Sequence, residues 1–368
     1  MNPLKKPNRQ RLSSENGFIE DESYQKSLTK REATVDQVAL PGGYVFPFAH
    51  NPGWNCYTGS LSYPILFSIG LRKFPFTNII QPGDGNTSRV PFYSFEGYEG
   101  EQKVGIQTSP LLVAWWALKE LESERHDEFM QMAFWLRENA IFDKKLGRIW
   151  PMNFNWVEHG MPMKPPWPNA MAQGMVMSVY VRAWKITGDQ CWAEECLEGL
   201  PVFRIPCEQG GVLSNFSGKG SFYEMYPGPA HSAPHVLDGF CFALFGLYEA
   251  SLLESFSKTE NRINDARLNF QRGLETLRRF VSFWDFEGIW SYYGNYGYLA
   301  SNLYHTLNYL WLDVLGALSG SKRLISLSKK WNPDNWASDA EINRSLVRRN
   351  LIDLYVRCQQ GGTDRRQP

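Results

Sequence analysis

PHVLDGFCFALFGLYEASLLE, residues 234–254, offers almost no polar face. A helix built from it is apolar nearly all round, and such a helix must be covered on both sides. The segment that follows, INDARLNFQRGLETLRRF (263–280), alternates apolar and charged positions at helical spacing and suits an outer layer. GIWSYY at 288–293 then closes the pair with a short aromatic, β-like turn. The same unit recurs. PNAMAQGMVMSVYVRAWKITG and CWAEECLEGLPVFR are closed by GGVLSNF at 210–216, and SNLYHTLNYLWLDVLGALSG is followed by KRLISLSKKW. An earlier copy opens with Ser109 and Pro110 as N-cap and first-turn residue for LLVAWWALKELE, followed by DEFMQMAFWLRENAIF and GRIWP. The first helices of the last three pairs start near Pro168, Pro234 and Ser301, spacings of 66 and 67 residues. A hairpin repeated at that period predicts a mainly α fold, an (α/α) barrel or toroid with the apolar helices as its inner ring. An open solenoid of stacked hairpins is the competing architecture.

Outward from this repeat the character changes. Residues 1–35 are polar, mixed in charge and aperiodic, and read as a flexible arm. Residues 36–105 carry short aromatic and β-branched runs broken by Gly, Pro and Asn, a small β-rich or extended region. The helical domain spans 106–335, and 336–368 form a polar, partly helical tail.

Basic and acidic residues balance at 38 each, so no global field draws in nucleic acid or an anionic membrane. No stretch approaches the roughly 18 apolar residues of a membrane span, and MNPLKKPNRQRLSSENG has no apolar signal core. The chain is expected to be soluble, with a cytoplasmic location favoured. The six cysteines show no C-x-x-C spacing and read as reduced, mostly buried thiols. Aromatics reach 15 %, which a helical core could use as filler or a glycan site could use to stack on sugar faces.

Candidate chemistry concentrates in GGVLSNFSGKGSFYEMYPGPAHSAPHVLDGF, 210–240, where Tyr223, Glu224, Tyr226 and His231 sit in an irregular loop between apolar helices. NLYHTLN (302–308) places Tyr304 and His305 at the start of another inner helix, and WSYYGNYGY (290–298) adds a run of tyrosines. His231 and His235 are four apart, but Pro234 between them interrupts the regular helix that such a metal pair needs, so no metal site is assigned. P-loop, dinucleotide and nucleophile-elbow motifs are missing.

WPNAMAQGMVMSVYVRAW (167–184), FYEMYPGPAHSAPHVLDGFCFALFGLYE (222–249) and LYHTLNYLWL (303–312) resemble the C-terminal domain of the glucuronyl C5-epimerases. The A-M-A-Q-G, Y-E-x-Y-P, V-L-x-G-F and Y-H-T segments occur in the family's order, over roughly residues 105–332. The resemblance implies an (α/α) barrel, a cofactor-free isomerase, an acidic polysaccharide of the heparan or heparosan type as substrate, and a homodimer as the relatives form. It further implies catalytic roles for Tyr226 and Tyr304. Glu224 matches the first acid of the family's E-E-Y, while Met225 stands at the second. Where members use a tyrosine after the third hairpin, Trp290 falls nearest, and Tyr292 or Tyr293 is the candidate replacement.

Epimerisation removes the proton from the carbon bearing the carboxylate and returns one to the opposite face. It needs a base, an acid across the ring and neutralisation of the carboxylate. Tyrosine can serve on either side if cationic neighbours tune it. His305, His231, Lys219, Arg148 and Arg204 are the candidate cations or donors, with Lys219 read first as a solvated surface charge. Tyr223, Trp167, Asn169, Gln173 and Trp290 are further candidates for substrate binding, though Gln173 fits a buried structural hydrogen bond equally well. A lyase, or a catalytically silent glycan-binding protein on the same scaffold, is the alternative. A glycoside hydrolase wants two flanking carboxylates, and only Glu224, Asp238 and Glu158 are placed to contribute.

Overall fold

Ser109 marks the point where extended chain becomes helix. In the computed structural model its side chain accepts a hydrogen bond from the Leu112 amide at 3.3 Å, and Pro110 takes the first helical position, where a missing N–H costs nothing. The structure describes residues 63, 79–82, 89–95, 104–158, 160–229, 232–253, 259–295, 299–300 and 302–335. The arm at 1–35, most of 36–105 and the tail after 335 lie outside the described residues.

Four helix pairs follow one another along the chain. They are α1 (Pro110–Glu122) with α2 (His126–Glu138), α3 (Ala170–Thr187) with α4 (Gln190–Glu198), α5 (Leu237–Ala250) with α6 (Glu260–Phe280), and α7 (Asn302–Ser319) with α8 (Lys322–Trp331). Each of the first three pairs is followed by an antiparallel two-strand ribbon: β4 (Ile141–Asp143) with β5 (Gly147–Ile149), β8 (Leu213–Phe216) with β9 (Gly220–Tyr223), and β10 (Asp285–Phe286) with β11 (Trp290–Ser291). A further ribbon, β6 (Trp156–Glu158) with β7 (Met161–Met163), precedes α3. Before the helices, β1 (Ile79–Ile80), β2 (Phe92–Ser94) and β3 (Ile106–Gln107) form an antiparallel sheet.

The division of labour follows from the sequence pattern. Every residue of α5 is buried, whereas α6 buries Ile263, Ala266, Phe270, Leu274 and Leu277, one stripe at helical spacing. Each fully buried Leu or Phe of α5 stabilises the fold by roughly 1.5–3 kcal/mol relative to exposure. The apolar helices pack in sequence, α1 on α3, α3 on α5 and α5 on α7, with their amphipathic partners outside. No closed barrel is formed among the described residues. Aromatic filling of the inner face is what is seen instead. Tyr63 packs against Phe242, Phe245 and Trp311, and Trp115 reaches Phe242 across the row.

Two glycines bring α3 and α5 together. A Cβ on Gly246 would lie 2.2 Å from the Gly174 carbonyl oxygen, and one on Gly174 would lie 2.6 Å from Ala243 Cα. Gly174 is the last residue of A-M-A-Q-G, so that segment contributes contact between backbones. Among the described residues, no helix is long and apolar enough to cross a membrane. Of the described cysteines, Cys196 and Cys241 are buried, Cys207 is half-buried and Cys191 is exposed.

Candidate active site

A cleft of about 180 Å³ opens where β2, β3, the starts of α1, α3 and α7, and the loop after β9 meet. Phe95, Phe154, Trp156, Trp167 and Tyr226 give it an aromatic wall. Successive ring centroids lie 5.6 Å apart for Phe95–Phe154, 6.1 Å for Phe154–Trp167 and 6.3 Å for Trp167–Tyr226. Trp167 is fixed by donating its indole N–H to the Phe154 carbonyl at 2.9 Å and by backbone pairing with Met152. Flat, hydrogen-bonded indoles of this kind suit the C–H faces of a pyranose ring.

Tyr226 and Tyr304 both line this cleft. Tyr226 arrives through an anchored loop: the Ala170 amide donates to the Glu224 carbonyl at 3.1 Å, and the Glu224 amide donates to that of Val212 at 2.8 Å. Its hydroxyl shares a side-chain hydrogen bond with Tyr293. Loss of hydration raises Tyr226 well above the usual phenol range. The Glu158 carboxylate and Tyr304 raise it further, and the Tyr293 bond partly opposes them. Tyr293 is likewise raised, first by burial and then by Tyr226 and Tyr304. The Tyr293 and Tyr304 rings lie 5.1 Å apart. Three tyrosines from three separated segments therefore meet at one end of the cleft.

Asp238, in the first turn of α5, lies behind them. Burial pushes its carboxyl up to about 7, and the nearby Asp238 and Gly239 amides lower it only in part, for neither oxygen has a partner at hydrogen-bonding geometry among the described residues.

The other candidates are placed elsewhere. Glu224 is fully buried and turned away from the cleft, bonded to Ser214 Oγ, to His235 Nδ1 at 2.7 Å and to the His235 amide at 3.1 Å. Tyr223 is buried and donates to the Asn269 carbonyl at 2.7 Å. Gln173 spends its amide on the Arg148 and Gly199 carbonyls, each at 2.9 Å, which is a structural bond set. His305 accepts from the Ser291 amide through Nδ1 and donates to the Trp331 carbonyl through Nε2. Burial lowers it to about 3, so it is a neutral imidazole and supplies no cation. Trp290 stacks on His305 at 3.5 Å and donates to the Ala300 carbonyl, and Tyr292 packs on Phe286. Arg148 pairs with Glu198 and Arg204 with Asp265, both away from the cleft lining, and Lys219 is exposed on the β8–β9 turn. His231 lies outside the described residues.

Asn169 does line the cleft. Tyr93, Phe95, Gln107, Thr108, Ser109, Phe154 and Trp156 line it too, and no motif in the sequence marks them as site residues. The dense aromatics of RVPFYSFEGYEG were the available signal, but nothing in them fixed which cleft they would face. Among the described residues, no group of three His, Cys, Asp or Glu side chains could hold a metal.

The family model described as the D-glucuronyl C5-epimerase C-terminus matches residues 143–333. A D-glucuronyl C5-epimerase of Caenorhabditis elegans is 31% identical over 168 residues, covering 44% of this chain and 26% of its own length. An uncharacterized protein of Methanocaldococcus jannaschii is 25% identical over 226 residues, covering 58% of this chain and 70% of its own. This chain thus spans about a quarter of the nematode enzyme.

Proposed function

Because the chain belongs to the family defined by the D-glucuronyl C5-epimerase C-terminus, we propose that it epimerises D-glucuronate to L-iduronate within an acidic polysaccharide of the heparosan type. The observation that carries this reading is the meeting of Tyr226 and Tyr304 on one aromatic cleft, with Tyr293 bonded to the first and packed on the second. The row of apolar inner helices suits the (α/α) toroid that the resemblance implies.

Tyr226, held protonated by burial, is the proton donor. Tyr304 is the base, and the C5 proton passes to its phenol oxygen from the opposite ring face. The electron pair left at C5 delocalises into the carboxylate, and the Tyr226 hydroxyl then returns a proton to C5 with inverted configuration. In the reverse direction the roles exchange. Only a proton moves, so the step asks for no cofactor. Trp167 and the aromatic wall hold the sugar so that C5 sits between the two hydroxyls, and their apolar surface keeps competing water away.

Proton NMR of heparosan incubated with the protein in deuterated water tests this. Deuterium at C5 together with new iduronate signals is the expected result. Unsaturated-ring signals would instead establish a lyase. A polymer that remains unchanged while still perturbing the protein's tryptophan fluorescence would overturn the enzymatic reading in favour of a glycan-binding protein.

A further inference from the structure

The uronate carboxylate must be held somewhere, and among the described residues that line the cleft none is charged. Two helix N-termini nevertheless converge on it. The N-caps of α1 and α3, Ser109 and Asn169, both line the cleft, as do Leu111, Leu112 and Met171 from the first turns behind them. These helices run 13 and 18 residues, long enough for each to present the positive end of its dipole at the wall.

Asn169 supplies a second, independent sign. Its Oδ1 caps α3 by accepting from the Ala172 amide at 2.9 Å, which fixes the side chain. Its residue is only 1% exposed, yet Nδ2 has no hydrogen-bond partner among the described residues. A buried amide N–H₂ without an acceptor is costly unless a ligand supplies one. Of the first-turn amides of α3, Ala170 donates to the Glu224 carbonyl and Ala172 to Asn169, leaving that of Met171 engaged by neither bond. The Ser109 hydroxyl accepts from Leu112, and its own proton is available to donate.

The geometry points to a carboxylate receptor between the N-termini of α1 and α3, with Asn169 Nδ2 as its central donor and the Ser109 hydroxyl and Met171 amide beside it. The assignment rests on the uronate reading and adds how the substrate's charge is met, by amide and hydroxyl donors at helix ends in place of arginine or lysine. It also gives the cleft a preference. A carboxylate accepts here with the strength of a charged acceptor, whereas the hydroxyl of a neutral hexose accepts from the Asn169 amide only as a neutral one.

The test compares a glucuronate-containing heparosan hexasaccharide with its carboxyl-reduced counterpart, in which each glucuronate is glucose. Affinities are measured by NMR titration, and C5 deuterium exchange is followed in the same samples. Asn169→Ser and Asn169→Asp both keep an N-cap acceptor for α3, so the fold is preserved and circular dichroism checks it. Asn169→Ser is expected to weaken binding of the acidic hexasaccharide about tenfold or more and leave the reduced one unchanged. Asn169→Asp weakens the acidic ligand further by repulsion. Equal wild-type affinity for both ligands, or an equal loss on both with Asn169→Ser, overturns the receptor. Selective, Asn169-dependent binding without any C5 exchange supports the receptor and sinks the epimerase reading, which separates the two failures.

Discussion

The rings of Tyr293 and Tyr304 lie 5.1 Å apart and tilted by 48°, although the residues come from different elements, the loop after β11 and the first turn of α7. Tyr293 also hydrogen-bonds Tyr226, so it joins the two cleft tyrosines without lining the cleft itself. Its bond lowers Tyr226 against the dominant effect of burial. Tyr293→Phe removes that bond, raises Tyr226 further and makes it a weaker donor. Turnover should fall about tenfold and the pH–rate profile should move to higher pH, with little change in KM. An unchanged profile would show that the bond has no part in the chemistry.

Tyr226→Phe and Tyr304→Phe each remove a hydroxyl while keeping the ring that packs on its neighbours. General acid–base groups typically contribute 10²- to 10⁴-fold, and each variant should lose turnover of about that size at unchanged thermal stability. Deuterium exchange at C5 checks the roles separately. Loss of exchange with Tyr304→Phe alone, with Tyr226→Phe still exchanging but not inverting, would match the donor and acceptor assigned above.

The helical repeat was legible because apolar periodicity is a local property. The helices start at Ala170, Leu237 and Asn302, within three residues of where the pattern put them. Which polar side chains face the cleft was less legible, since direction depends on fractions of a turn. His305 follows Tyr304 on the same helix, so it projects about 100° around the axis, and there it meets β11 and the end of α8. Glu224 lies two residues before Tyr226 yet turns into the protein toward Ser214 and His235. The β2–β3 contribution depends on contacts between distant segments, which no local pattern encodes. Closure of the inner row, read from the repeat, likewise rests on long-range packing that no local pattern encodes.

Asp238 sets a pH dependence of stability. Its native carboxyl is raised to about 7 from 3.8, so between these values the folded chain binds more protons than the unfolded one. The favourable contribution is complete below the unfolded value and is lost as pH rises toward about 7, amounting at most to about 4 kcal/mol. Asp238→Asn cannot ionise. Denaturant unfolding should show the variant gaining on the wild type from pH 4 to pH 8, and a constant difference across that range would rule out an ionising Asp238.

Arg182 and Glu249 form a fully buried bidentate pair joining α3 to α5, with both contacts at 2.7 Å. Removing one partner strands the other charge, so Glu249→Leu alone should cost about 3–5 kcal/mol. Arg182→Met added to it should recover most of that loss. A double mutant as unstable as the single one would mean that the Arg182 hydrogen bond to the Ser178 carbonyl, at 2.9 Å, matters more than the ion pair.

We assign Glu224 a positioning role. Its carboxylate holds Ser214 and both the ring and the amide of His235. His235 sits at φ 51, a left-handed conformation that non-glycine residues adopt only when surroundings impose it. Its carbonyl accepts the Trp284 indole N–H at 2.8 Å, and two residues on, the Leu237 amide donates to the Tyr293 carbonyl at 3.2 Å. Glu224 thus ties the Tyr226 loop to the turn that carries Tyr293. Glu224→Ala should leave the His235 amide and Ser214 hydroxyl buried without a partner, at a cost of about 2–4 kcal/mol. Turnover should drop alongside thermal stability, unlike Tyr226→Phe, which loses turnover alone. If Glu224→Ala instead keeps its thermal stability and loses only turnover, Glu224 reaches the substrate directly and the positioning role is wrong.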